Sequence, residues 1–315
     1  MEHVLELRQL KYLVTAVECG SLGKAASQLG MATSALSQQI SRLESELSTR
    51  LLVRGASGVT PTEAGAAFCR HATLALRHVD AAAATAQGAR LSGMVSLGLA
   101  PTTASVLALP LIKAMARRHP NIRLQLVEGM SGHLAGMLKL RQIDLAVLFN
   151  AESVTFAKTE AIPLLDESLF LIGAPVEGEG EPASEPVTLA ELAGLPLILP
   201  SRTHGLRASL DRSFNAADIV PNIAMEIDSL AVIMGAVTEG LGYTIQPGAA
   251  LARPSTSALV VRPVSDEGAR RTNLLVSLPE HELSPAALAL RALLRKVVGG
   301  LVRDGRWMGA TLHEP

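Results

Sequence analysis

The spacing of hydrophobic residues in the first part of the chain predicts an amphipathic helix. Leu36, Ile40, Leu43 and Leu47 recur at intervals of four, three and four residues, so they lie on one face of a helix. Residues 22–29 form a shorter predicted helix ahead of it. The pattern therefore predicts two helices joined by a tight turn.

Residues that favour helix ends mark the limits of this pair. Ser21 is the predicted N-cap of the first helix, because a serine hydroxyl accepts hydrogen bonds from free helix amides. Gly30 follows that helix, at a position where glycine adopts the left-handed turn conformation at least cost. We predict that Thr33 or Ser34 caps the second helix.

The face of the second helix opposite the buried residues carries short hydrogen-bonding groups and one cation. Such groups suit contact with base edges and phosphates in a DNA major groove. An ordinary helical hairpin with a solvated polar face is the alternative. The residues of this face are Thr33, Ser34, Ser37, Gln38, Ser41 and Arg42.

Segments on both sides extend the pair into a larger domain. Residues 4–18 form a predicted amphipathic helix that ends at Gly20, and residues 50–60 predict two short strands separated by glycines. These strands carry Arg50 and Arg54, and a wing arginine commonly meets phosphate or the minor groove. For Arg54, a helix cap or a structural ion pair is the alternative.

A long helix is predicted from residue 63 to about residue 87, with Thr62 as its cap. Its apolar residues recur near coiled-coil spacing. Because nothing nearby in the sequence would cover this stripe, we expect a second copy of the helix as its partner. The stripe consists of Phe68, Ala72, Leu76, Val79 and Ala83.

Beyond residue 91, apolar strands alternate with helices, which is typical of a parallel sheet covered on both faces. One set occupies residues 94–149 and a second set residues 196–246. An acidic, Pro/Gly-rich surface loop is predicted at 177–186, and a last helix at about 284–298 precedes a loosely held tail. The crossovers between the two lobes are predicted at 162–165, 168–173, 259–264 and 273–278.

Ligands of open α/β sheets bind beyond the carboxyl ends of the strands. Several of these ends begin helices, whose free amides favour anions such as a carboxylate. We therefore expect a small anionic or polar metabolite between the lobes, although each hydroxyl there could equally be a plain N-cap. The strand ends carry Thr102, Thr103, Ser131, Phe149, Ser201, Arg202, His204, Asp228 and Ser229.

Composition and charge bound the class of protein. A chain of 315 residues that is 48% hydrophobic and has a net charge of -1 is expected to be soluble and globular, with two or three domains. Residues 1–60 hold six Lys or Arg and five Asp or Glu, so a single copy should bind DNA weakly and several copies should act together. With neither a membrane-spanning run nor a secretory signal, a cytoplasmic protein without membrane contact is expected.

The residue types and spacings predict no catalytic residue, metal site or cofactor. Cys19 and Cys69 are too few for a disulfide framework or a metal site, so we interpret both as small buried residues, with a redox sensor as the alternative. The chain lacks a P-loop and a G-x-S-x-G elbow. Gly240-Leu241-Gly242 follows a helix and lacks the third glycine of a dinucleotide fingerprint.

A specific pattern of residues in the first 65 positions is shared with a known family. Together with the two-lobed remainder, it makes the chain resemble LysR-type transcriptional regulators over nearly its whole length. The segments GVTPTEAG, GMVSLGLAPTTAS, LVEGMSGHL and IDLAVLF are most similar to the nitrogen assimilation control subgroup. The pattern consists of Ser21, Ala25, Ala26, Leu29, Ala35, Leu36, Ser37, Gln39, Ile40, Leu43, Glu44, Leu47, Leu51, Arg54, Thr62, Glu63, Ala64 and Gly65.

The resemblance implies an α/β protein with three parts. These are a winged helix-turn-helix DNA-binding domain over residues 1–61, a linker and dimerisation helix over 62–90, and an effector-binding domain over 91–315. The last part is expected to resemble periplasmic binding proteins, with two subdomains. Subdomain I is expected at about 91–165 and 266–315, and subdomain II at about 166–265.

The residues and the resemblance together give two sets of expected site residues. The DNA-binding set is Ser21, Thr33, Ser34, Ser37, Gln38, Arg42, Arg54 and Thr62. The effector-binding set is Thr102, Thr103, Ser131, Phe149, Pro200, Ser201, Arg202 and His204.

Three positions depart from the family pattern. Thr33 stands where the family often has Gln, which shortens a base-contacting side chain and implies a different preferred DNA sequence. Leu52 replaces the familiar Phe in the core. Ser57 replaces an arginine, which removes one cation from the wing.

The expected function is a sequence-specific transcriptional regulator, modulated by a small effector in the cleft between the subdomains. The resemblance implies dimers that pair into tetramers, bend double-stranded promoter DNA and contact RNA polymerase. One alternative is a regulator without an effector, controlled by its own level. A second is a small-molecule-binding protein whose N-terminal hairpin only dimerises, and a third is an enzyme that works in the cleft.

Overall fold

The computed structural model describes residues 5–55, 58–86, 91–149, 159–175, 185–202, 204–252, 259–266 and 268–313. These residues fall into two units that divide between Gly93 and Met94. Four sequence predictions lie wholly or partly outside the described residues: the start of the first helix at residue 4, Ser57 in the wing, residues 87–90 of the linker, and most of the loop at 177–186.

The first unit contains the predicted helix pair, wing and long helix. Leu13, Ala25, Leu36, Ile40 and Leu43 are buried together in its core, which confirms the buried stripe of the second helix of the pair. Its elements are α1 (Leu7–Cys19), α2 (Leu22–Gln28), α3 (Thr33–Glu46), β1 (Leu52–Gly55), β2 (Gly58–Pro61) and α4 (Glu63–Ala86).

The helix ends of this unit match the predicted caps in four places, Thr62 of α4 among them, and differ in one. Ser21 caps α2, while Gly20 and Gly30 adopt left-handed φ values of 60° and 66°. The predicted cap of α3 is wrong, because Ala32 is the N-cap and no side chain caps this helix. Thr33 already has the first helical position, where its hydroxyl is no longer placed to accept the free amide hydrogens.

Two contacts fix the antiparallel wing formed by β1 and β2. The carboxylate Oε1 of Glu44 accepts hydrogen bonds from the amides of Leu51 (2.7 Å) and Leu52 (3.0 Å), which holds the start of β1 against α3. The amide of Val59 donates to the carbonyl of Gly20 at 2.9 Å, which holds β2 against the end of α1.

Thr62 caps α4 as predicted, since its Oγ1 accepts a hydrogen bond from the amide of Gly65 at 2.9 Å. The sequence predicts no cover for the stripe of α4 from nearby residues and expects a second copy as its partner, but a distant segment of the same chain covers its first half. There, Leu10 and Val14 of α1 pack against Ala72 and bury it. Farther along α4, Val79 remains exposed.

The second unit has two lobes that share one long strand, β6. Residues 160–168 of β6 pair with β11, whereas residues 169–173 pair with β9 and β10. The elements are β3 (Gly93–Leu99), α5 (Pro101–Arg118), β4 (Ile122–Glu128), α6 (Ser131–Lys139), β5 (Leu145–Phe149), β6 (Glu160–Gly173), α7 (Leu189–Leu192), β7 (Leu197–Leu199), α8 (Gly205–Ala216), β8 (Ile223–Glu226), α9 (Leu230–Thr238), β9 (Thr244–Pro247), β10 (Val260–Pro263), β11 (Arg270–Ser277), α10 (Pro285–Arg303) and β12 (Ala310–Leu312).

The strand directions differ in part from the all-parallel prediction. Parallel pairing joins β3 to β5 and β7 to β8. The strand β6 pairs antiparallel with β9, β10, β11 and β12, and β11 pairs antiparallel with β5. The two crossovers predicted at 162–165 and 168–173 are therefore one continuous strand of 14 residues, because each half finds its own hydrogen-bonding partners.

The segment after the last helix is not the loosely held tail that the sequence predicted. The helix α10 continues to Arg303, and β12 then pairs with β6. Between them, Trp307 is only 2% exposed. A buried indole removes a large apolar surface from water, which accounts for the order of this segment. Among the described helices, none is long and apolar enough to cross a membrane.

Candidate nucleic-acid interface and ligand cleft

The exposed face of α3 carries the residues predicted to contact DNA. Thr33, Ser34, Gln38 and Arg42 are exposed and Ser37 is half-buried. Ser34, Gln38 and Arg42 lie opposite the buried stripe. The prediction that Thr33 shares this face is wrong, because Thr33 precedes the buried Leu36 by three residues and is exposed only in the first turn. Because α3 lacks a side-chain cap, the free amides of its first turn stay available to an acceptor such as phosphate.

Arg54 of the wing lies across this face of α3. Its Nη1 donates to the hydroxyl of Ser37 at 2.7 Å, and its Nη2 donates to the hydroxyl of Ser41 at 3.0 Å. The alternative for Arg54, a helix cap or an ion pair, does not describe these two bonds. They join the wing to the helix and set a guanidinium beside the polar residues.

Arg42 is paired within its own helix. Its Nε donates to Glu46 at 2.8 Å, and Glu46 also accepts from Gln9 of α1 at 2.8 Å. The Glu46 carboxylate raises the pKa of Arg42 through this hydrogen bond and through its charge. Arg42 remains exposed, so its other guanidinium hydrogens are accessible to solvent.

Two residues of the predicted DNA-binding set act as caps. The hydroxyl of Ser21 accepts from the amide of Lys24 at 3.5 Å. The hydroxyl of Thr62 donates to the carbonyl of Arg50 at 2.8 Å while it accepts from the amide of Gly65. Both side chains thus hold the starts of α2 and α4.

The two cysteines lie in the same unit and are half-buried. Burial raises the pKa of the Cys69 thiol to about 11. A thiol with this pKa is protonated at neutral pH and reacts slowly with oxidants. The Sγ of Cys19 donates to Gln28 at 3.2 Å. These surroundings favour structural roles over the redox-sensor alternative.

In the second unit, a buried polar cluster surrounds the carboxylate of Glu167 on β6. Its Oε2 accepts from Arg271 Nε and from Asn273 Nδ2, both at 2.8 Å, and its Oε1 accepts from Trp307 Nε1 at 2.7 Å. All four residues are buried. Since Arg271 stands opposite Glu167 in the β6–β11 pairing, strand register brings the ion pair together.

Arg271 connects this cluster to the start of α5. Its Nη2 donates to the hydroxyl of Thr102 at 2.8 Å, and its guanidinium lies 3.6 Å from the centre of the Phe149 ring. Burial lowers the pKa of Arg271, and the charge of Glu167 opposes that shift. Its Nη1 is buried and has no hydrogen-bond partner among the described residues.

The other lobe contributes a second polar group around Asp228. The amide and hydroxyl of Ser201 donate to Asp228 at 2.9 and 3.0 Å, and these bonds lower the pKa of Asp228. The Nδ1 of His204 accepts from the amide of Leu206 at 3.2 Å. Burial, followed by the charge of Arg271, lowers the pKa of His204, so the imidazole is neutral at pH 7.

A buried arginine holds the loop that carries Pro200. The Nη1 of Arg207 donates to the carbonyl of Pro200 at 3.1 Å and to Glu226 at 2.5 Å, while its Nε donates to Asp211 at 2.8 Å. Arg207 therefore fixes this side of the cleft through the backbone.

The structure brings six members of the predicted effector-binding set together. Thr102, Pro200 and His204 line one small cavity of about 20 Å³, with Asp228 and Gln246. Thr103 is buried beside Asn273, at 3.5 Å, and Phe149 contacts Arg271. Ser201 adjoins this group through Asp228. Such a volume holds about one water molecule.

Within the described part of the chain, no hydrogen bond links the other two members to this cluster. Arg202 is exposed, and the buried hydroxyl of Ser131 has no hydrogen-bond partner among the described residues. Sequence reasoning missed Glu167, Arg271 and Trp307. The signal that could have found two of them was present, since two consecutive arginines open the segment RRTNLLVS and Trp307 is the only tryptophan in the sequence.

The described residues hold no group of three or more His, Cys, Asp or Glu side chains suited to a metal ion. What the chain does carry is an exposed polar helix with a wing, and a separate two-lobed unit with a polar cleft.

Comparison with known proteins identifies both parts. The model of the bacterial regulatory helix-turn-helix protein, lysR family, matches residues 7–66, and the model of the LysR substrate binding domain matches residues 88–299. The nitrogen assimilation regulatory protein nac of Escherichia coli (strain K12) is 34% identical over 96% of this chain and 98% of its own length. This similarity confirms the resemblance to the nitrogen assimilation control regulators.

Solved structures show the same fold. A cysteine mutant of Corynebacterium glutamicum OxyR is 26% identical, with a TM-score of 0.59 over 95% of this chain and 96% of its own. A full-length OxyR variant from Pseudomonas aeruginosa is 22% identical, with a TM-score of 0.76 over 99% of both chains, and supports the fold alone. The chain therefore belongs to the LysR family of DNA-binding transcriptional regulators and carries both its helix-turn-helix and its effector-binding domain.

Proposed function

We propose that this regulator recognises a specific promoter sequence through α3 and the wing, and that it catalyses no reaction. The observation that carries the proposal is the exposed face of α3 with Arg54 bound across it. A helix of this kind presents donors and acceptors to base edges in the major groove, while cations and free amides bind phosphates. Its place of action would be the bacterial cytoplasm.

Individual roles follow from the contacts. Thr33, Ser34, Gln38 and Arg42 are exposed and accessible to base edges and phosphates. Arg54 would contact DNA from the position in which Ser37 and Ser41 hold it. Ser21 and Thr62 would act by fixing helix ends, as their hydroxyls are already engaged. The domain limits at 61/62 and 90/91, and the two subdomain ranges, are part of the same proposal.

The test is selection of duplexes from a random-sequence DNA pool with the full-length protein. Enrichment of one sequence with two-fold symmetry is expected, since two copies of α3 would contact two half-sites. Retention of DNA without enrichment of any sequence would overturn the proposal. Loss of all retention at moderate salt would favour the rival function, a small-molecule-binding protein whose helix pair only dimerises.

We further propose that the protein acts as a dimer that pairs into a tetramer. Several helices expose large apolar side chains, among them Val79 on α4, Leu109 and Ile112 on α5, and Val232 on α9. Leu109, which is 68% exposed, and Ile112 stand three residues apart on α5 and so share one face, and neighbouring exposed apolar residues mark interaction surfaces. The nearly neutral DNA-binding unit also favours several copies, because each contributes weak affinity. Sedimentation across protein concentrations tests this assembly. Contact with RNA polymerase is a further part of the proposal, which membership of the LysR family supports.

A small effector in the cleft is the family-level expectation, and an effector-independent regulator is the second candidate. The observation that favours the second candidate is the small size of the cavity, about 20 Å³, which Thr102 lines. Arg271, which binds Thr102, already has its charge balanced by Glu167. Thermal melting against small carboxylates, amino acids and aromatic acids separates the two. A ligand at one hundred times its dissociation constant adds about 2.7 kcal/mol, which raises the melting midpoint by roughly 5–10 °C.

A further inference from the structure

Glu167 has the hydrogen bonds that a bound acid would be expected to make. Its two carboxylate oxygens accept from Arg271, Asn273 and Trp307 at 2.7–2.8 Å, and the residue is 0% exposed. The Nη2 of Arg271 also lies 2.8 Å from Oε2. Charge-assisted bonds of this length are among the strongest that a carboxylate forms.

The donors come from separate parts of the fold. Arg271 and Asn273 belong to β11, and Trp307 lies between α10 and β12. Through Arg271, the cluster reaches Thr102 at the start of α5. Glu167 itself lies where β6 changes partners, from β11 on one side to β9 and β10 on the other. A single carboxylate therefore joins segments on which the arrangement of both lobes depends.

We infer that these donors form a carboxylate-binding site in the effector domain and that Glu167 of the same chain occupies it as a built-in ligand. The inference rests on the proposed function in assigning the cleft a regulatory role. In this protein the site holds the lobes together without an external acid. Small carboxylates become ligands only when the side chain of Glu167 is removed.

Space and charge both support this assignment. The neighbouring cavity of about 20 Å³ accommodates one water molecule but no organic acid. The guanidinium of Arg271 is fully buried and needs an anion beside it. Its Nη1 is unpaired among the described residues, so a free carboxylate could find one more donor here than Glu167 uses.

The experiment is chemical rescue of Glu167→Ala in the full-length chain. Removal of a buried carboxylate leaves Arg271, Asn273 and Trp307 without their acceptor, so the melting midpoint of the variant should fall. Sodium acetate or propionate should raise it again, relative to sodium chloride at equal ionic strength. At ten times the dissociation constant the folded-to-unfolded ratio rises about 11-fold, and the midpoint rises by about 3–6 °C.

Trp307 supplies a second measurement, because it is the only tryptophan and its indole nitrogen contacts the site. Acetate should shift the emission of Glu167→Ala towards that of the wild type. Wild-type protein should respond to neither acid. As a matched control, Glu160→Ala removes a carboxylate that pairs with Arg291 and is part-exposed, so acetate should not rescue it.

Two results would overturn the inference. One is a folded Glu167→Ala variant that responds to acetate no more than to chloride. The other concerns Glu167→Gln, which keeps the side-chain volume and tests the site even if the alanine variant does not fold. If Glu167→Gln has the same melting midpoint and the same tryptophan emission as the wild type, the carboxylate is dispensable. Neither measurement uses DNA, so their failure is distinct from failure of the DNA-binding function.

Discussion

At the scale of single residues, Gly65 shows how the wing and α4 depend on a close backbone approach. A Cβ atom added to Gly65 would lie 1.9 Å from the carbonyl oxygen of Leu51. A Gly→Ala change inside a helix usually stabilises it by about 1 kcal/mol. Here we expect Gly65→Ala to lower the free energy of unfolding by about 1–3 kcal/mol, because the backbone must move.

Urea unfolding measures this change, with Gly23→Ala in α2 as the matched control. The nearest neighbour of a Cβ at Gly23 is the hydroxyl of Ser21 at 3.8 Å, an ordinary contact. The control should therefore keep or gain stability. Equal effects of the two substitutions would contradict the close approach at Gly65.

A second prediction concerns the two serines that hold Arg54. If they position the guanidinium, Ser41→Ala should weaken binding to the selected DNA by about 0.5–1.5 kcal/mol in the wild-type background. The same substitution should have no effect when Arg54 is already alanine. Fluorescence anisotropy on the wild type, the two single variants and the double variant gives the coupling energy between Ser41 and Arg54 in DNA binding. An undiminished effect of Ser41→Ala without Arg54 would mean that the serine contacts DNA directly.

His204 predicts a dependence of stability on pH. The ordinary pKa of histidine is about 6.5, and in the folded protein burial and Arg271 lower it, while Asp228 opposes the shift. With respect to His204, the free energy of unfolding is therefore at its highest above about pH 6.5. It decreases as the pH falls towards the pKa that His204 has in the folded protein. Protonation would also end the hydrogen bond that Nδ1 accepts from the amide of Leu206.

Between about pH 7.5 and 5.5 the wild-type protein should lose more stability than His204→Gln, which cannot titrate. All other ionisable groups are shared, so the difference between the two urea-unfolding series isolates His204. Parallel pH profiles would exclude this role.

At the scale of elements, the sequence predicts best what depends on neighbouring residues. The caps at Ser21 and Thr62, the turn glycines and the buried stripe of α3 are local, and all of them are present. The continuity of β6 and the pairing of β12 were not predicted, because they depend on strands far away in sequence. The cover that α1 provides for α4 is long-range in the same way.

The same distinction applies to the cleft. The polar residues at strand ends, Thr102 and His204 among them, could be predicted because sheet topology places strand ends together. Glu167 and Arg271 are separated by 104 residues, and Trp307 lies 140 residues from Glu167. Their meeting depends on the register of β6 with β11, which the hydrophobic pattern alone does not determine.

The segment after α10 gives a prediction at this scale. A chain that ends at Gly305 lacks Trp307 and β12, which pairs with β6. Loss of a buried aromatic side chain typically costs about 3–5 kcal/mol, so the second unit should unfold at markedly lower urea concentration. A chain that ends at His313 is the matched control and should match the wild type. Circular dichroism measures both, and equal midpoints would show that this segment contributes no stability.

At the scale of the whole molecule, the sparse positive charge of the first unit makes assembly part of DNA recognition. Two linked copies of α3 on one duplex gain affinity through their effective concentration. Self-association surfaces and DNA contacts should therefore act together, and affinity should fall steeply with salt as phosphate contacts are lost.

The most direct test of the account is the ratio of the dissociation constants for a scrambled duplex and the selected duplex, measured by anisotropy at one salt concentration. Wild-type protein should bind the selected duplex at least about a thousandfold more tightly. Gln38→Ala should reduce that ratio roughly tenfold or more and leave the affinity for the scrambled duplex unchanged. The control is Gln142→Ala, because Gln142 is exposed in the second unit, and this change should alter neither the ratio nor the affinity for the scrambled duplex. A wild-type ratio near one would contradict recognition of a specific sequence, and a Gln38→Ala ratio equal to wild type would contradict its assignment to α3.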